Sequence, residues 1–274
     1  MVLLLPITPE KYTKSEGKIM DFIENRTDEF LFMSIGQLAR QLEVSEATIS
    51  RFARHIGYHD FKELKRGVLN QKEGGGAARK LAGTLLKNQG FDMEKWIEQQ
   101  KECLDETLRG FSMEEFERAL DAVCAARRIF IHGKNASASA ARLLHFRLRR
   151  LGLAAEVIPS GGSEVIEGIA HAGKGDLVIL FCYSKISREA RMILEYAADA
   201  GYGTLAFTGE QTSSAERHAD ISLYVFRGEK GEYHSMASAA AMVDALIVAL
   251  SERMEMQSAE SLIRIQKLKE AYHR

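Results

Sequence analysis

The stretch SIGQLARQLEVSEATISRFARHIGY, residues 34–58 of the 274-residue chain, has the pattern of two short amphipathic helices separated by a tight turn. In each half, apolar residues recur at i, i+3, i+4 and i+7, which predicts one buried stripe and one solvated face. Ser34 with Gln37 has the spacing of a capping box, Ser45 is a typical N-cap residue, and Gly57 is typical of a helix end. Small hydroxyl residues followed by arginines open the second helix. This layout is that of a helix-turn-helix that reads DNA.

Further helix signals flank this stretch on both sides. Thr13 with Glu16 has the spacing of a second capping box and predicts the start of an upstream helix. Asp60 is a suitable N-cap for a downstream helix. The apolar residues of these helices would complete one small core. We therefore predict an all-α helix-turn-helix domain over residues 1–72.

The second helix of the pair carries the candidate base contacts. Small hydroxyl groups let its backbone approach the major groove, where arginine can pair with guanine, so Thr48 and Arg51 are the main candidates. Basic residues farther along would hold phosphates, a contribution that is independent of sequence and weakens with salt. The alternative is a plain helical bundle with solvated charges. The candidates for DNA contact are Ser45, Glu46, Thr48, Ser50, Arg51, Arg54, Lys62, Lys65 and Arg66.

Composition narrows the class of protein. A hydrophobic content of 46% is ordinary for a globular protein, and a formal net charge of -1 excludes a general polycationic nucleic-acid binder. DNA binding would therefore be local and dimeric. The three cysteines, Cys103, Cys124 and Cys182, support neither a disulfide framework nor a zinc site, so we expect no metal and a reducing cytoplasm. We expect neither a signal peptide nor a membrane span.

Three consecutive glycines, Gly74 to Gly76, predict a boundary between domains, because they leave the backbone maximally free. We expect a glycine-rich linker and the start of a connecting helix at residues 73–90, and a second domain at residues 91–274. From residue 80 to residue 126 the pattern is helical.

From residue 128 onward, short apolar runs alternate with helical stretches, as in βαβ units around a parallel sheet. The predicted class of this domain is α/β, a five-stranded parallel sheet flanked by helices in the flavodoxin-like manner. The expected strands are Arg128 to His132, Ala154 to Ile158, Leu177 to Cys182, Gly203 to Phe207 and Ile221 to Val225. The expected helices are Ser137 to Leu151, Gly162 to Ala172, Ser187 to Ala200, Ser213 to His218, Tyr233 to Met254 and Ser258 to Arg274.

Small and hydroxyl residues follow two of the predicted strands. The first strand leads into GKNASAS, residues 133–139, and the third ends in CYSKISRE, residues 182–189. Ligands in parallel sheets lie at the carboxyl ends of the strands, and a helix N-terminus favours an anion, so the two loops together predict a phosphate site. The alternative is that Ser137 and Ser187 are ordinary N-caps.

Residues 9–255 resemble the RpiR-type transcriptional regulators, in which a helix-turn-helix precedes a SIS, or sugar isomerase, domain. VSEATISRFARHIGY, residues 44–58, resembles the DNA-reading helix of the family, and Asp60-Phe61 continues it. Residues 176–189 are similar to the SIS pattern of an acidic residue, a strand and a Ser-x-Ser-Gly-x-Thr-x-Glu turn. The resemblance implies a bacterial dimer or tetramer that senses a phosphorylated sugar and regulates genes for its metabolism.

Both SIS loops depart from the usual pattern. Asn135 stands where the first loop usually has a second glycine. In the second loop, Cys182, Lys185 and Ser187 replace a serine, a glycine and a threonine. Lys185 removes a conformationally free residue from a tight turn but adds a cation, and Lys134 adds another. The ligand contacts that the resemblance implies are Gly133, Lys134, Asn135, Ser137, Cys182, Ser184, Lys185, Ser187 and Glu189.

The predicted function is that of a DNA-binding regulator and not of an enzyme. Isomerisation needs an acid/base pair, often Glu with His, at the reacting carbons, and the sequence places none of its candidates there. Those candidates are His132, His171, His218, His234, Glu167 and Glu232. Expected partners are a double-stranded operator, a sugar phosphate effector and further copies of the chain in a homodimer or homotetramer, with no cofactor and no membrane. The alternatives are a phosphosugar isomerase and a SIS-fold dimerisation scaffold without ligand.

Overall fold

The computed structural model describes residues 3–71, 76–88, 90–183, 186–209 and 219–272. The described residues cluster into two compact units. The first comprises residues 3–98 with 228–234, and the second comprises residues 99–227 with 235–272.

The first unit is all α-helical. Its helices are α1 (Lys14–Asn25), α2 (Thr27–Phe32), α3 (Ile35–Leu42), α4 (Glu46–His55), α5 (Phe61–Asn70) and α6 (Ala77–Asn88), and α7 (Met93–Arg109) begins in it. Fully buried side chains from α1 to α5 form one core, as the apolar stripes predict; among them are Ile19, Phe30, Leu38, Ile49, Phe52 and Leu64.

Capping hydrogen bonds stabilise the first turn of each helix of the predicted helix-turn-helix. The Ser34 hydroxyl accepts from the Gln37 amide at 3.2 Å, and the Ser34 amide donates to the Gln37 side chain at 2.7 Å. The Ser45 hydroxyl accepts from the Thr48 amide at 3.1 Å. Between the two helices Glu43 takes a left-handed φ of 56°. The predicted capping box, turn and second N-cap are therefore confirmed.

The first unit contains two helices, α2 and α6, that the sequence analysis did not place in it. The sequence pattern did not indicate α2, because six residues are too few to display a helical period. Helix α6 falls in the stretch expected to be helical, but it belongs to the first unit. The Arg79 side chain donates to Asp28 of α2 at 3.0 Å, and Ala82 lies in the core. The linker residues 72–75 lie outside the described residues.

The second unit is an α/β fold around a five-stranded sheet of described residues. Its strands run parallel in the order β2-β1-β3-β4-β5. Their bounds are β1 Ile129–Gly133, β2 Ala155–Val157, β3 Leu177–Cys182, β4 Gly203–Thr208 and β5 Ile221–Tyr224, within one residue of each predicted end. The described helices after α7 are α8 Met113–Ala125, α9 Ser137–Arg150, α10 Glu164–Ile169, α11 Arg188–Ala200, α12 Ala237–Arg253 and α13 Glu255–Tyr272.

Two apolar layers cover the sheet, which explains why its strands read as continuous apolar runs. Helices α8, α9 and α12 pack on one face, and α10 and α11 supply the other. Side chains of β1 alternate between them, with Ile129 and Ile131 on the first face and Phe130 on the second. The chain leaves β1 toward one face and β3 toward the other. In parallel α/β folds, the crevice at such a divergence, at the carboxyl ends of the two strands, is the usual place for a ligand.

A buried carboxylate joins the amino ends of β1 and β3. Asp176 accepts from Arg127 at 3.1 Å, from Arg128 at 2.7 Å and from the Gly173 amide at 3.0 Å. Burial alone would raise the pKa of the Asp176 carboxyl, but these donors outweigh it and hold the pKa well below its usual range. The predicted helix at Ser213 to His218 lies outside the described residues. No helix in the described parts of the chain has the length and apolarity to cross a membrane.

Candidate DNA-binding and ligand-binding sites

Helix α4 turns one face to the core and one to solvent. Ile49, Phe52 and Ala53 are fully buried. Arg51 and Arg54 are exposed, and neither forms an ion pair with a described residue. Their guanidinium groups are therefore available to an external anion.

The other candidates at the start of α4 are partly engaged within the first unit. The Ser45 and Thr48 hydroxyls lie 2.8 Å apart and bond to each other. The Glu46 carboxylate lies over Gly36 of α3, since a Cβ added there would stand 2.8 Å from Glu46 Oε1. Ser50 is partly exposed. The start of α4 is therefore held rigid by its own polar contacts.

One candidate for phosphate contact is placed elsewhere by the fold. The Lys65 side chain is buried, and its ammonium donates to the Met33 carbonyl at 3.0 Å. Burial lowers the pKa of Lys65. The prediction that Lys65 binds phosphate is wrong for this structure, because its ammonium group bonds to the carbonyl of the C-cap residue of α2. Lys62 and Arg66, by contrast, remain partly or fully exposed.

A histidine links the end of α4 to the start of α1. His55 Nδ1 lies 2.8 Å from Glu16 Oε1, and Glu16 Oε2 accepts from the Thr13 amide at 2.8 Å. Burial would raise the pKa of Glu16, but the bonds from Thr13 and His55 outweigh it and lower the pKa. The capping box of α1 therefore also anchors α4.

The carboxyl ends of the strands form the second candidate site, which we call the sheet edge. There, the loop after β1 is shaped by close backbone packing. A Cβ on Gly133 would stand 2.6 Å from the Ser137 carbonyl oxygen, so a larger residue would force the loop open. Asn135 has a left-handed φ of 55°. Asparagine tolerates this conformation better than most residues, which explains how it can replace the glycine usual in this loop.

The start of α9 differs from the sequence expectation. Ser137 does not cap the helix, since the N-cap position is Ala136 and no side chain bonds there. The amides of Ser137, Ala138 and Ser139 donate to the carbonyls three residues earlier, so they are not free for an anion. The Ser137 hydroxyl is partly exposed and makes no hydrogen bond to a described residue. That hydroxyl, rather than the amides, is the available group.

An ion pair joins the two predicted ligand loops. Lys134 Nζ lies 2.6 Å from Glu189 Oε1, across 55 residues of sequence. The bond from Lys134 lowers the pKa of the Glu189 carboxyl to about 2. The β1 loop and the first turn of α11 therefore form one edge, and the Lys134 charge is already neutralised.

The loop after β3 is described in part. The Ser187 hydroxyl accepts from the Ala190 amide at 3.1 Å and caps α11, so the ordinary N-cap alternative holds for this residue. Burial raises the pKa of the Cys182 thiol to about 11, which keeps it protonated. Ser184 and Lys185 lie outside the described residues.

Three further residues lie at this edge, of which the sequence analysis named only His132, as an acid/base candidate, and missed Tyr183 and Arg227. His132 is fully buried, and neither ring nitrogen makes a hydrogen bond of normal geometry to a described residue. Burial lowers the pKa of its imidazole, which keeps the ring neutral. Tyr183 and Arg227 lie together, with the guanidinium carbon 3.9 Å from the ring centre. The available signal was position, since all three lie at or just past a strand's carboxyl end.

The other candidates for acid/base chemistry do not assemble with His132. His234 and Glu232 lie in the first unit, and His171 and Glu167 are exposed in the second. His218 lies outside the described residues. Among the described residues, no three His, Cys, Asp or Glu side chains are grouped to hold a metal ion.

Comparison with known proteins agrees with both units. A model of the helix-turn-helix domain of the rpiR family matches residues 3–72, and a model of the SIS domain matches residues 123–249. An uncharacterised HTH-type transcriptional regulator of Caldanaerobacter subterraneus subsp. tengcongensis is 26% identical over 88% of this chain and 87% of its own length.

Two solved structures resemble the fold. The sugar isomerase domain of an RpiR transcription factor from Sphaerobacter thermophilus has a TM-score of 0.57 and 28% identity, covering 61% of this chain and 93% of that one. The NanR protein of Vibrio vulnificus, complexed with ManNAc-6P, has a TM-score of 0.57 and 22% identity, covering 94% of each chain.

A helix-turn-helix unit joined to a SIS unit defines the class of two-domain transcriptional regulators. The chain carries the helix-turn-helix domain of the RpiR family, followed by a SIS domain.

Proposed function

We propose that this regulator binds a roughly palindromic operator as a homo-oligomer, and that a phosphorylated sugar in the crevice between β1 and β3 changes its affinity for that operator. The observation that carries the DNA half is the pair of exposed cations on α4, Arg51 and Arg54, which form no ion pair with a described residue. The observation that carries the sensor half is the joining of two hydroxyl-bearing loops by the Lys134–Glu189 ion pair.

The α4 surface suits the major groove in shape and chemistry. The N-cap Ser45 and the first-turn residues Ala47 and Thr48 are small and let the helix approach the base edges, and Arg51 follows one turn later. Arg54 and Lys62 would contact phosphates and set the orientation. One copy supplies few base contacts, so specificity requires two copies on two half-sites.

The crevice suits a neutral sugar body with a small number of fixed donors and acceptors. The Ser137 hydroxyl and one oxygen of Glu189, Oε2, have no hydrogen-bond partner among the described residues. The NanR relative was solved with ManNAc-6P, a sugar phosphate of the proposed class. A ligand shifts operator binding only to the extent that it favours one arrangement of the assembly.

The DNA half is tested on an operator selected from random duplexes with the full chain. We expect Arg51→Ala to weaken binding by about 1 to 3 kcal/mol and to relax preference at one base pair per half-site. Arg54→Ala should weaken binding to all sequences and reduce the salt dependence by about one charge. Lys18→Ala, an exposed charge on α1, is the matched control. Unchanged affinity and preference in Arg51→Ala would contradict the assignment of α4.

The sensor half is tested with a panel of sugar phosphates in thermal unfolding and mobility-shift measurements. We expect at least one to raise the Tm and to change operator affinity, and Ser137→Ala to weaken both effects. Ser139→Ala is the matched control, because the Ser139 hydroxyl already donates to the Ala136 carbonyl. A panel without effect would favour a dimerisation scaffold, and turnover of a sugar phosphate would favour an isomerase.

A further inference from the structure

Beside the proposed phosphate loops, the carboxyl ends of β3 and β5 hold a cation that has no counter-ion among the described residues. The Arg227 guanidinium stacks on the Tyr183 ring at 3.9 Å and donates to the Met236 sulfur at 3.3 Å. Burial lowers the pKa of Arg227 from its ordinary value. No described carboxylate forms an ion pair with it. A sulfur atom is a weak acceptor, so the described residues leave most of the donor capacity of this guanidinium unused.

The phenol beneath this cation is also unsatisfied. Tyr183 is 6% exposed, and its hydroxyl has no hydrogen-bond partner among the described residues. A buried hydroxyl without a partner is costly, so its presence calls for an acceptor that the described residues do not supply. Helix α12 begins directly after Met236, whose side chain does not cap it, although the Ser235 hydroxyl accepts from the Ala237 amide at 3.1 Å. Its positive end therefore adds to the potential at the same place.

The chemistry of these groups selects one kind of occupant. Arg227 and Tyr183 are both donors, and one carries a charge that is partly removed from water. A neutral sugar hydroxyl would leave that charge uncompensated, whereas an oxyanion would neutralise it and accept from both donors. Lys134 does not compete for this role, since Glu189 already neutralises it. Arg188 also lies at this edge, but its side chain is exposed to solvent.

We propose that Arg227 and Tyr183 bind an oxyanion of the effector, either its phosphate or a carboxylate. This inference rests on the proposed sensing function and adds to it a second subsite, on the α12 side of the sheet. The hydroxyl groups of the loops would then contact the sugar body or a second anionic group.

The test uses thermal unfolding of the full chain with inorganic phosphate or acetate, at constant ionic strength set with sodium chloride. We expect at least one of the two to raise the Tm, and Arg227→Gln to increase its apparent Kd about tenfold or more. The apparent Kd of Arg227→Lys should lie between those of the wild type and Arg227→Gln, since lysine keeps the charge but lacks the planar, forked arrangement of donors in the guanidinium. Arg191→Gln removes an exposed charge on α11 and should behave like the wild type.

Tyr183→Phe separates binding from folding. Removing a hydroxyl that has no partner should leave the Tm without ligand unchanged or higher, while the apparent Kd for the oxyanion increases. A response to phosphate alone assigns the subsite to a phosphate, and a response to acetate alone assigns it to a carboxylate. A response to both supports a subsite for oxyanions in general.

Two results overturn the inference. One is that neither anion raises the Tm of the wild type, and the other is that Arg227→Gln responds as the wild type does. If sugar phosphates still change operator affinity in that second case, the sensing function stands and only this subsite fails. If the anion response depends on Arg227 but no sugar phosphate changes operator affinity, the subsite stands without the sensor.

Discussion

On α4, Arg51 and Arg54 extend into solvent without a described carboxylate beside them, whereas at the sheet edge Lys134 is held 2.6 Å from Glu189. The first surface leaves its charge open to a polyanion, whose binding is driven by release of counterions. The second cancels charge within the site, so recognition there depends on placed donors and shape. Arg227 is the exception at that edge, because its guanidinium is partly buried and forms no ion pair with a described carboxylate.

The two regions also differ in how far apart their partners lie along the chain. The polar bonds at the start of α4 join Ser45 to Thr48, three residues away. The bond at the sheet edge joins residues 55 apart and exists only after β1 and β3 have paired. The α4 surface therefore depends on local structure, whereas the sheet edge depends on the pairing of distant strands. Four substitutions test this contrast, in order of decreasing effect.

Phe52→Ala should have the largest effect, because it empties a fully buried position beneath α4. We expect a loss of about 3 to 5 kcal/mol from the free energy of unfolding of the helical unit. Urea titration followed by circular dichroism measures it, with Phe32→Ala, at a position 45% exposed, as the control. Equal losses in the two variants would contradict the position of α4 over this core.

Asp176→Asn tests the carboxylate that ties β1 to β3. We expect a cost of about 2 to 3 kcal/mol at pH 7, below the usual figure for a buried pair because Arg127 is largely exposed. Since the folded pKa of Asp176 is lowered, its contribution is present above the unfolded pKa of about 4 and is lost as the pH falls below it.

The stability of the wild type measured from pH 5 to pH 2 should therefore fall more steeply than that of Asp176→Asn. Asp199→Asn, an exposed carboxylate on α11, provides the reference slope. Parallel slopes for Asp176→Asn and the wild type would show that Asp176 does not make this contribution.

Ser34→Ala removes the capping box of α3 and should cost about 1 kcal/mol in unfolding by urea. Ser34→Asp keeps an N-cap acceptor and should recover most of that loss. Failure of Ser34→Asp to recover stability would mean that the hydroxyl acts through another contact.

Lys134→Met should have the smallest effect on stability and a clear effect on titration. Without the lysine, the pKa of Glu189 should rise from about 2 toward the ordinary value for glutamate of about 4.3. Carboxyl carbon chemical shifts followed by NMR report this change, and Lys174→Met is the control at an exposed site. A Glu189 pKa that stays low in Lys134→Met would show that the two loops are not joined by this ion pair.

Much of the fold was predictable because the sequence patterns that indicate it each span only a few neighbouring residues. The strand runs are apolar throughout, since both faces of the sheet are covered, and this placed their ends within one residue. Helix α2 was not predicted, since its six residues end before a period can repeat. Membership of α6 in the first unit depends on its contact with α2, which no local pattern reveals.

The candidate sites were predictable in outline and less so in detail. Position at strand ends brought Gly133, Ser137, Ser187 and Glu189 to one edge, as the rule for parallel sheets predicts. The same reasoning gave Ser137 a possible capping role that the structure assigns to no side chain. Exposure was not predictable for Lys65, because a lysine on an amphipathic helix is normally solvated.

The amino-acid sequence by itself determined the helix-turn-helix, its caps and the order of strands and helices, because capping bonds and apolar periods join residues a few positions apart. Only the tertiary structure decided that Lys134 meets Glu189, that Lys65 turns inward and that Arg227 stacks on Tyr183. Each of those contacts joins segments more than 30 residues apart, so its partner is chosen by the packing of the sheet or the helices and not by neighbouring residues.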